Sequence, residues 1–262
     1  MMRAPTRTHF HSSRLVRVLT ELAVVEARPP NSDFAEKLGL WVKFTDAIVL
    51  SAVHSTGSDN QPEMPSVAQS AGHIKLSDVY ARTRASLVRS ISSSGLSRGG
   101  RTHMEQASPE PGVDMADATA FEPYRRSYLA QQRDIELKVR PLRTHVREVL
   151  GQATHALRKL AALDAALETI LSERESKLLS TIPGLLEKRF HQLRNSHQQS
   201  LVDPPQAGHL AAPLQPAGWL AGFGEEMQTV LLAELDVRLQ PALGLIEAFN
   251  LNSTTASHHI HV

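Results

Sequence analysis

One row of apolar residues constrains this chain more than any other feature. Between positions 146 and 185, Leu, Ile, Val and Ala recur at alternating steps of four and three residues. That spacing places them on one face of an α-helix, and a second row at Val149, Ala156, Leu163 and Ile170 widens the face. A broad apolar face is typical of a helical bundle or hairpin rather than of a narrow two-stranded coiled coil. The first row consists of Val146, Leu150, Ala153, Leu157, Leu160, Leu167, Leu171, Leu178, Ile182 and Leu185.

The composition agrees with helices that pack through Leu and Ala. Of the 262 residues, 41% are hydrophobic but only 5% are aromatic, a balance that disfavours a β-sandwich or barrel. The chain contains no Cys, which excludes disulfide scaffolds, thiolate zinc sites, iron–sulfur clusters and thiol catalysis. We therefore predict an all-α fold.

The apolar row belongs to a long predicted helix over about 119–199, which begins with a T-x-x-E capping box. Pro141 and Pro183 interrupt the pattern, and we expect each to kink or end the helix locally. Asp164 occupies a position where the row expects an apolar residue. We interpret it as the edge of the face, because a buried unpaired carboxylate is costly; a buried polar residue that fixes the helix register is the alternative.

A second amphipathic helix is predicted beyond a proline-rich connection at 201–217. We expect it to fold back antiparallel on the long helix, so that 119–250 forms a long helical hairpin or bundle. The last residues, 251–262, predict a disordered tail.

The first part of the chain, 1–91, predicts a small N-terminal helical module with helices at about 13–27, 33–53 and 77–91. Residues 92–118 are rich in Ser, Gly and Pro and poor in large apolar side chains, which predicts a disordered linker. The polar stretch 54–72 predicts a loop, and Ser77 the N-cap of the third helix. For the second helix, the predicted apolar face consists of Phe34, Leu38, Trp41, Val42, Thr45, Ile48 and Val49.

Charge is strongly segregated, although 28 basic and 27 acidic residues nearly cancel. Residues 75–101 hold six basic residues and one acid, and 105–123 hold five acids and no Lys or Arg. Residues 124–160 hold nine basic residues against three acids, whereas 203–247 hold six acids and one Arg. Alternating blocks indicate pairing within the chain or with a partner more than a uniform nucleic-acid surface.

The basic blocks nevertheless leave an alternative function open, that of a nucleic-acid-binding accessory factor using surfaces at 75–101 and 124–160. The 75–101 block has one Arg-Gly-Gly and no interleaved aromatics, and a solvated helix face that runs into a linker is the favoured explanation of it. The candidate nucleic-acid or anion contacts are Arg82, Arg84, Arg89, Arg98 and Arg101.

Motifs that carry chemistry are missing from the sequence. There is no H-E-x-x-H, no G-x-S-x-G elbow, and the Gly-rich stretch 218–224 lacks the Lys-Ser/Thr of a phosphate loop. His258, His259 and His261 lie near the end of the chain, where a solvated tail is favoured over a metal site. We therefore predict no catalytic, cofactor-binding or metal-ligating residues, no cofactor, and a protein that is not an enzyme.

No run of apolar residues approaches the roughly 20 that a transmembrane helix requires. Arg17 and Glu21 interrupt the Leu- and Val-rich stretch near the start, which disfavours a signal peptide. A faint likeness to an organellar transit peptide is the alternative. The sequence predicts a cytoplasmic protein without transmembrane insertion.

Three stretches carry a resemblance to known sequences: 33–48, 124–128 and 231–241. With them, the chain resembles a proteobacterial family of hypothetical proteins with a domain of unknown function. The resemblance implies a cytoplasmic protein encoded beside membrane-anchored, peptidoglycan-binding and motor-like components, and so an accessory of a cell-envelope complex. It carries no site residues with it.

Together these observations predict a non-enzymatic, cytoplasmic helical interaction or scaffold protein. It would bind a protein partner, or a second copy of itself, through coiled-coil seams, with nucleic acid as the less favoured partner. The predicted partner-helix seam consists of Val146, Leu150, Leu157, Leu160, Leu167 and Leu171.

Overall fold

A computed structural model describes residues 13–22, 39–55, 66–94, 120–202 and 216–258. Within these ranges the regular structure is entirely helical, without a strand, which confirms the predicted all-α class. The helices are α1 (Arg14–Glu21), α2 (Phe44–Ser55), α3 (Ser66–Ser93), α4 (Glu122–Gly151), α5 (His155–Leu179), α6 (Ile182–Val202) and α7 (Pro216–His258).

The segment predicted as one long helix is three helices, of which α4 and α5 form an antiparallel hairpin. Near the open end of the hairpin, Gln132 Nε2 donates to the carbonyl of Leu179 at 3.2 Å. Nearer its closed end, Arg143 Nε donates to Asp164 Oδ2 at 2.9 Å. The residues of each pair come closer together in sequence toward the turn at 152–154, as the two antiparallel helices of a hairpin require.

The prediction that Pro141 and Pro183 would each kink or end the helix agrees with the break beside Pro183 but not with the course of the chain at Pro141. Pro141 lies inside α4, which continues to Gly151, and Pro183 lies in the first turn of α6. A proline in the first helical turn gives up no intrahelical hydrogen bond. Inside α4, packing against α5 and α7 offsets the bond lost at Pro141. The chain turns at 152–154, away from either proline, and at 180–181, just before Pro183.

Helix α7 is the centre of the fold. It contacts α1, α3, α4, α5 and α6, and its middle is buried on every side. The consecutive residues Val230 and Leu231, and then Ala233, Glu234 and Leu235, have no exposed surface. A helix that is apolar all round is an interior helix, so the others assemble around this one.

The direction of α7 corrects the predicted hairpin. Phe121 contacts Phe223 edge-on near the start of α4, and Thr154, just beyond its end, hydrogen-bonds Asn252. The two helices therefore run parallel. Helix α7 is antiparallel to α6, in which Arg189 pairs with Glu226 at 2.5 Å. It is also antiparallel to α5, which runs opposite to α4 and contacts α7, so the antiparallel return involves the second and third parts of the long segment.

An aromatic cluster closes one end of this bundle. Phe190 of α6 lies 5.2 Å from both the Phe223 and the Trp219 ring centroids. The Tyr124 ring packs at 5.4 Å from Phe223 in an edge-on arrangement. Tilted and edge-on contacts are the favoured geometries of aromatic pairs. The cluster thus joins the start of α4, the middle of α6 and the start of α7.

The N-terminal helices pack on this bundle. In α1, which lies within the helix predicted at 13–27, Leu15, Val18 and Leu19 recur at helical spacing and are buried. Ser13 caps the helix by accepting a hydrogen bond from the Val16 amide at 3.3 Å. Helix α3 begins at Ser66, so 66–72 of the predicted loop is helical, and Ser77 is interior rather than the N-cap.

Helix α2 packs on α5 but does not follow its predicted burial. None of its residues is buried, and Ile48 and Val49 of the predicted apolar face are about half exposed, at 54% and 49%. Phe34 and Leu38, which were expected on the same face, lie outside the described residues.

Several predicted segments fall partly or wholly outside the described ranges. These include the start of the predicted capping box at Thr119, most of the 92–118 linker and most of the 201–217 connection. Helix α4 begins at Glu122 with Phe121 as its N-cap residue. Helix α7 continues to His258, beyond the predicted end at 250.

Candidate functional site

An apolar groove lies between α1, α5, α6 and α7. Its volume is about 470 Å³. Helix α1 forms one wall, the end of α5 and the start of α6 form the other, and Val237 of α7 lies between them. The apolar lining residues are Leu15, Val16, Leu19, Trp41, Leu171, Leu178, Leu179, Ile182, Leu185 and Val237.

The groove lining combines buried and exposed apolar side chains. Leu15, Leu19 and Leu179 are buried and form part of the core. Val16 and Leu178, by contrast, expose 47% and 59% of their surface. Single exposed apolar residues are ordinary, but apolar side chains grouped around a concave site mark a place where another molecule binds.

Trp41 contributes to the groove from the segment just before α2. The guanidinium of Arg174 lies over its ring, 5.9 Å from the centroid, within the range of a cation–π contact. Trp41 and Arg174 both line the groove. This contact therefore holds the segment that leads into α2 beside the groove.

A buried polar network fixes the helices beneath the groove. The Glu234 carboxylate has no exposed surface; it accepts hydrogen bonds from Tyr128 at 2.9 Å and from Arg238 Nε at 2.9 Å. Gln132 donates to the same carboxylate and to the Leu179 carbonyl. A buried carboxylate that accepts hydrogen bonds from three side chains is stabilised, whereas an unpaired one would be costly. The network ties α4 and α7 to the end of α5, where Leu179 enters the groove.

The pKa of the Tyr128 phenol is shifted by its buried surroundings. Burial, and then the adjacent Glu234 carboxylate, raise the pKa of Tyr128 well above its ordinary value, and Arg238 acts in the opposite direction. Tyr128 therefore remains a neutral hydrogen-bond donor. Its chemistry is that of a fixed contact between α4 and α7.

A second ionic cluster joins α4 to α5. Arg143 pairs with Asp164 at 2.6 Å, and both side chains are mostly buried, at 12% and 13% exposure. Arg147 pairs with Asp164 at 3.3 Å and also with Glu168. The interpretation of Asp164 as the edge of the apolar face is wrong, because its side chain is enclosed and paired. Its position agrees with the alternative, a buried polar residue that would fix the helix register.

The predicted partner-helix seam is divided between two helices and faces inward for half its length. Val146 and Leu150 of α4 are fully buried, and Leu157 of α5 is 4% exposed. These three side chains already pack inside the chain. Leu160, Leu167 and Leu171 are partly exposed, and Leu171 alone of the six lines the groove.

The predicted basic contacts are spread out. Arg82 and Arg89 bind carbonyls of their own helix, those of Asp78 and Ala85, and Arg84 pairs with Asp236 at 3.4 Å. Arg98 and Arg101 lie outside the described residues. In the 124–160 block, five of the nine basic residues form ion pairs: Arg125, Arg126, Lys138, Arg143 and Arg147.

The groove residues themselves were only partly visible in the sequence. Leu171 and Leu178 belong to the predicted apolar row, and Trp41 to the predicted face of the second helix. Val16 and Val237 carried no signal, because a Val at the edge of an apolar stripe cannot be told from the sequence to line a groove.

Neither a cluster of metal-ligating side chains nor a membrane-spanning helix occurs among the described residues. Within these ranges, His, Asp and Glu side chains do not gather in a group of three or more that could hold a metal ion. Among the described helices, none combines the length and apolar composition that crossing a bilayer requires.

The fold and the groove define an all-α protein with an apolar, helix-lined cleft on its surface. The chain belongs to a family described as protein of unknown function (DUF3348), whose family model matches residues 1–251. Comparison with curated proteins yields no match, and neither does comparison with solved structures.

Proposed function

We propose that this protein is a non-enzymatic helical interaction protein that receives an apolar α-helix of a protein partner in the groove between α1, α5, α6 and α7. The observation that carries the proposal is the grouping of Val16, Trp41 and Leu178, all exposed, around an apolar concave site. An amphipathic helix laid in an apolar groove is a recurrent mode of protein recognition.

The polar residues of the groove support an orientation for that helix. Arg174 and Glu175 line the groove beside its apolar residues. The Arg174 guanidinium stays available for a carboxylate because its described contact is with the Trp41 ring. A partner helix with one apolar stripe and an acidic residue at its edge fits this surface, and the acidic residue would set its direction.

The groove, and not the seam predicted from the sequence, is the proposed contact surface for a partner. It remains compatible with a cytoplasmic location and with an accessory role beside a cell-envelope complex, both of which stay proposals. The alternative of nucleic-acid binding has less support, because five of the nine basic residues in 124–160 are already paired within the chain.

Photocrosslinking inside the native cell tests the proposal. A photoreactive phenylalanine analogue is placed at Val16 or at Leu178, and at Leu137 as the control. Leu137 is a comparably exposed leucine, at 64%, on α4 outside the groove. We expect the same protein adduct from both groove positions and none from Leu137. Equal adducts from all three positions, or none from either groove position in folded protein, would contradict the proposal.

A further inference from the structure

A second cleft lies between α4 and the end of α5, and Arg238 of α7 contributes to its lining. Its volume is about 610 Å³, which is within the usual range of small-molecule sites. Of its described lining residues, Leu179 alone also lines the groove, so an occupant of this cleft leaves the groove free for a partner helix. We call it the α4–α5 cleft. Its charged and amide lining residues are Gln132, Arg133, Glu136, Arg140 and Arg238.

Two guanidinium groups of the α4–α5 cleft are free to bind a ligand. Arg133 and Arg140 are seven residues apart, so they lie on the same face of α4, about 10 Å apart along its axis. Within the described ranges neither side chain forms an ion pair, whereas Arg238 is paired with Glu234 at 2.9 Å. A free guanidinium binds a carboxylate through two parallel hydrogen bonds. Arg133 and Arg140 therefore form the candidate carboxylate site.

An amide oxygen at the base of the cleft adds a hydrogen-bond acceptor. Gln132 is only 9% exposed, and its Nε2 donates to Glu234 and to the Leu179 carbonyl. In the described part of the chain nothing donates to its Oε1. Buried amide side chains ordinarily use both their donor and their acceptor. The Oε1 atom of Gln132 is therefore an acceptor for an N–H group of an occupant.

The cleft also holds a negative charge between the two arginines. Glu136 is three residues after Arg133 and four before Arg140, spacings that place all three on one side of the helix. Its carboxylate has no ion-pair partner among the described residues. A simple anion would be repelled by Glu136, and a simple cation by the arginines. A zwitterion, in contrast, matches both signs of charge.

Apolar surface lies beside these charges. Leu129 and Leu137 line the cleft and are 41% and 64% exposed, and Pro141 follows Leu137 by one turn. Small-molecule sites combine apolar lining with a few polar groups that fix the orientation of the ligand. The matching occupant has an apolar part as well as two opposite charges.

We propose that the α4–α5 cleft binds a small zwitterion with an apolar side chain, that is, an apolar amino acid or a short apolar peptide with free ends. Arg133 and Arg140 bind its carboxylate, Glu136 and the Oε1 atom of Gln132 bind its ammonium group, and the exposed leucines contact its apolar part. The amino acid and the peptide carry the same three groups, so the experiment has to separate them.

Calorimetric titration of the full-length chain with L-leucyl-L-leucine tests the proposal. The N-acetylated dipeptide lacks the ammonium group and the dipeptide amide lacks the carboxylate. Each is expected to bind at least about tenfold more weakly, because each loses a charge-assisted hydrogen bond. Glycylglycine, which keeps both charges but has no apolar side chain, is expected to bind more weakly too. Titration with leucine separates the two sources, since the tighter of leucine and the dipeptide is the preferred ligand.

Substitutions in the cleft assign each charge of the ligand to its residue. Arg140→Gln is expected to weaken dipeptide binding about tenfold and to leave binding of the amide unchanged, since the amide has no carboxylate to lose. Glu136→Gln is expected to weaken dipeptide binding but not that of the N-acetylated form. Arg126→Gln and Glu148→Gln are the matched controls. Both residues lie on α4 outside the cleft, at 75% and 70% exposure, and we expect wild-type binding in both variants.

Two results would overturn the proposal. One is the absence of saturable binding of leucine and of the dipeptide at millimolar concentrations. The other is dipeptide binding that Arg140→Gln and Glu136→Gln leave unchanged, in variants that unfold at the wild-type urea concentration, because the ligand would then lie outside the α4–α5 cleft. Neither result bears on the groove, whose photocrosslinks to a protein partner are measured independently.

Discussion

The phenol of Tyr128 donates a hydrogen bond of 2.9 Å to the carboxylate of Glu234, and both side chains are fully buried. The two residues are 106 positions apart. Their contact holds α4 parallel to the central helix α7 and places the end of α5 where it forms the groove.

Replacing Tyr128 by Phe should destabilise the fold by about 1–3 kcal/mol, because Glu234 loses one buried donor while the ring is kept. Urea unfolding followed by circular dichroism measures the difference. Tyr124→Phe is the matched control: the described contacts of Tyr124 are ring contacts with Phe190 and Phe223, which Phe retains. Equal decreases in the free energy of unfolding of the two variants would contradict the role given to the Tyr128 hydroxyl.

Stability should also fall at alkaline pH through Tyr128. Its pKa is raised in the folded protein, whereas the unfolded chain loses the phenolic proton near pH 10. The folded state therefore binds more protons above about pH 10, and the free energy of unfolding falls there by up to about 1.4 kcal/mol per pH unit for this group. Below that pH both states are protonated and the effect vanishes.

The measurement is urea unfolding of wild type and Tyr128→Phe between about pH 8 and pH 11. The stability difference between them should shrink as the pH rises, because the variant has no proton to lose at this position. A difference that stays constant over the whole range would show that Tyr128 titrates alike in both states.

Asp164→Ala should cost about 1.5–3 kcal/mol, since the mostly buried Arg143 loses its charge-assisted hydrogen bonds to Asp164 and keeps only the longer pair with Glu168 at 3.6 Å. Glu173→Ala is the control on the same helix. Glu173 pairs with Lys177 in an exposed position, at 83% and 79% exposure, and its loss should cost less than about 0.5 kcal/mol. Thermal unfolding of both variants measures the loss of stability. Comparable losses of stability in the two variants would contradict a register-fixing role for Asp164.

How far the sequence predicts this fold depends on how local each signal is. The stripe of α1 is read directly from the spacing of Leu15, Val18 and Leu19, and the all-α class from composition and periodicity. The turn at 152–154 was not predicted, because Pro141 is the stronger local signal for a break and packing overrides it. The parallel arrangement of α4 and α7 depends on contacts such as Tyr128 with Glu234, which no local pattern contains.

The site was harder to predict than the fold. Leu150 and Leu178 belong to the same apolar row, but one is buried and the other is 59% exposed. Periodicity shows which residues share a helix face, and it does not show whether that face meets the rest of the chain or a partner. The groove emerges only when α1 and α6 are placed on either side of α7.

Arg174→Ala should loosen the segment before α2 by removing the cation on the Trp41 ring, a contact worth about 0.5–1 kcal/mol. In a Trp219→Phe background Trp41 is the remaining tryptophan, so acrylamide quenching of its fluorescence reports its accessibility. We expect stronger quenching in the Arg174→Ala variant. Lys177→Ala, which alters an exposed pair one turn away, should leave quenching unchanged, and an increase there would show that any charge loss on α5 has the same effect.

Calorimetric titration of the purified chain with the partner identified by crosslinking from the groove tests the central claim most directly. We expect one partner helix per groove, a negative heat-capacity change from burial of apolar surface, and binding weakened more than about tenfold by Leu178→Asp. Leu137→Asp should bind as wild type does. Binding unaffected by Leu178→Asp, in a variant that unfolds at the wild-type urea concentration, would contradict the assignment of the groove as the partner site.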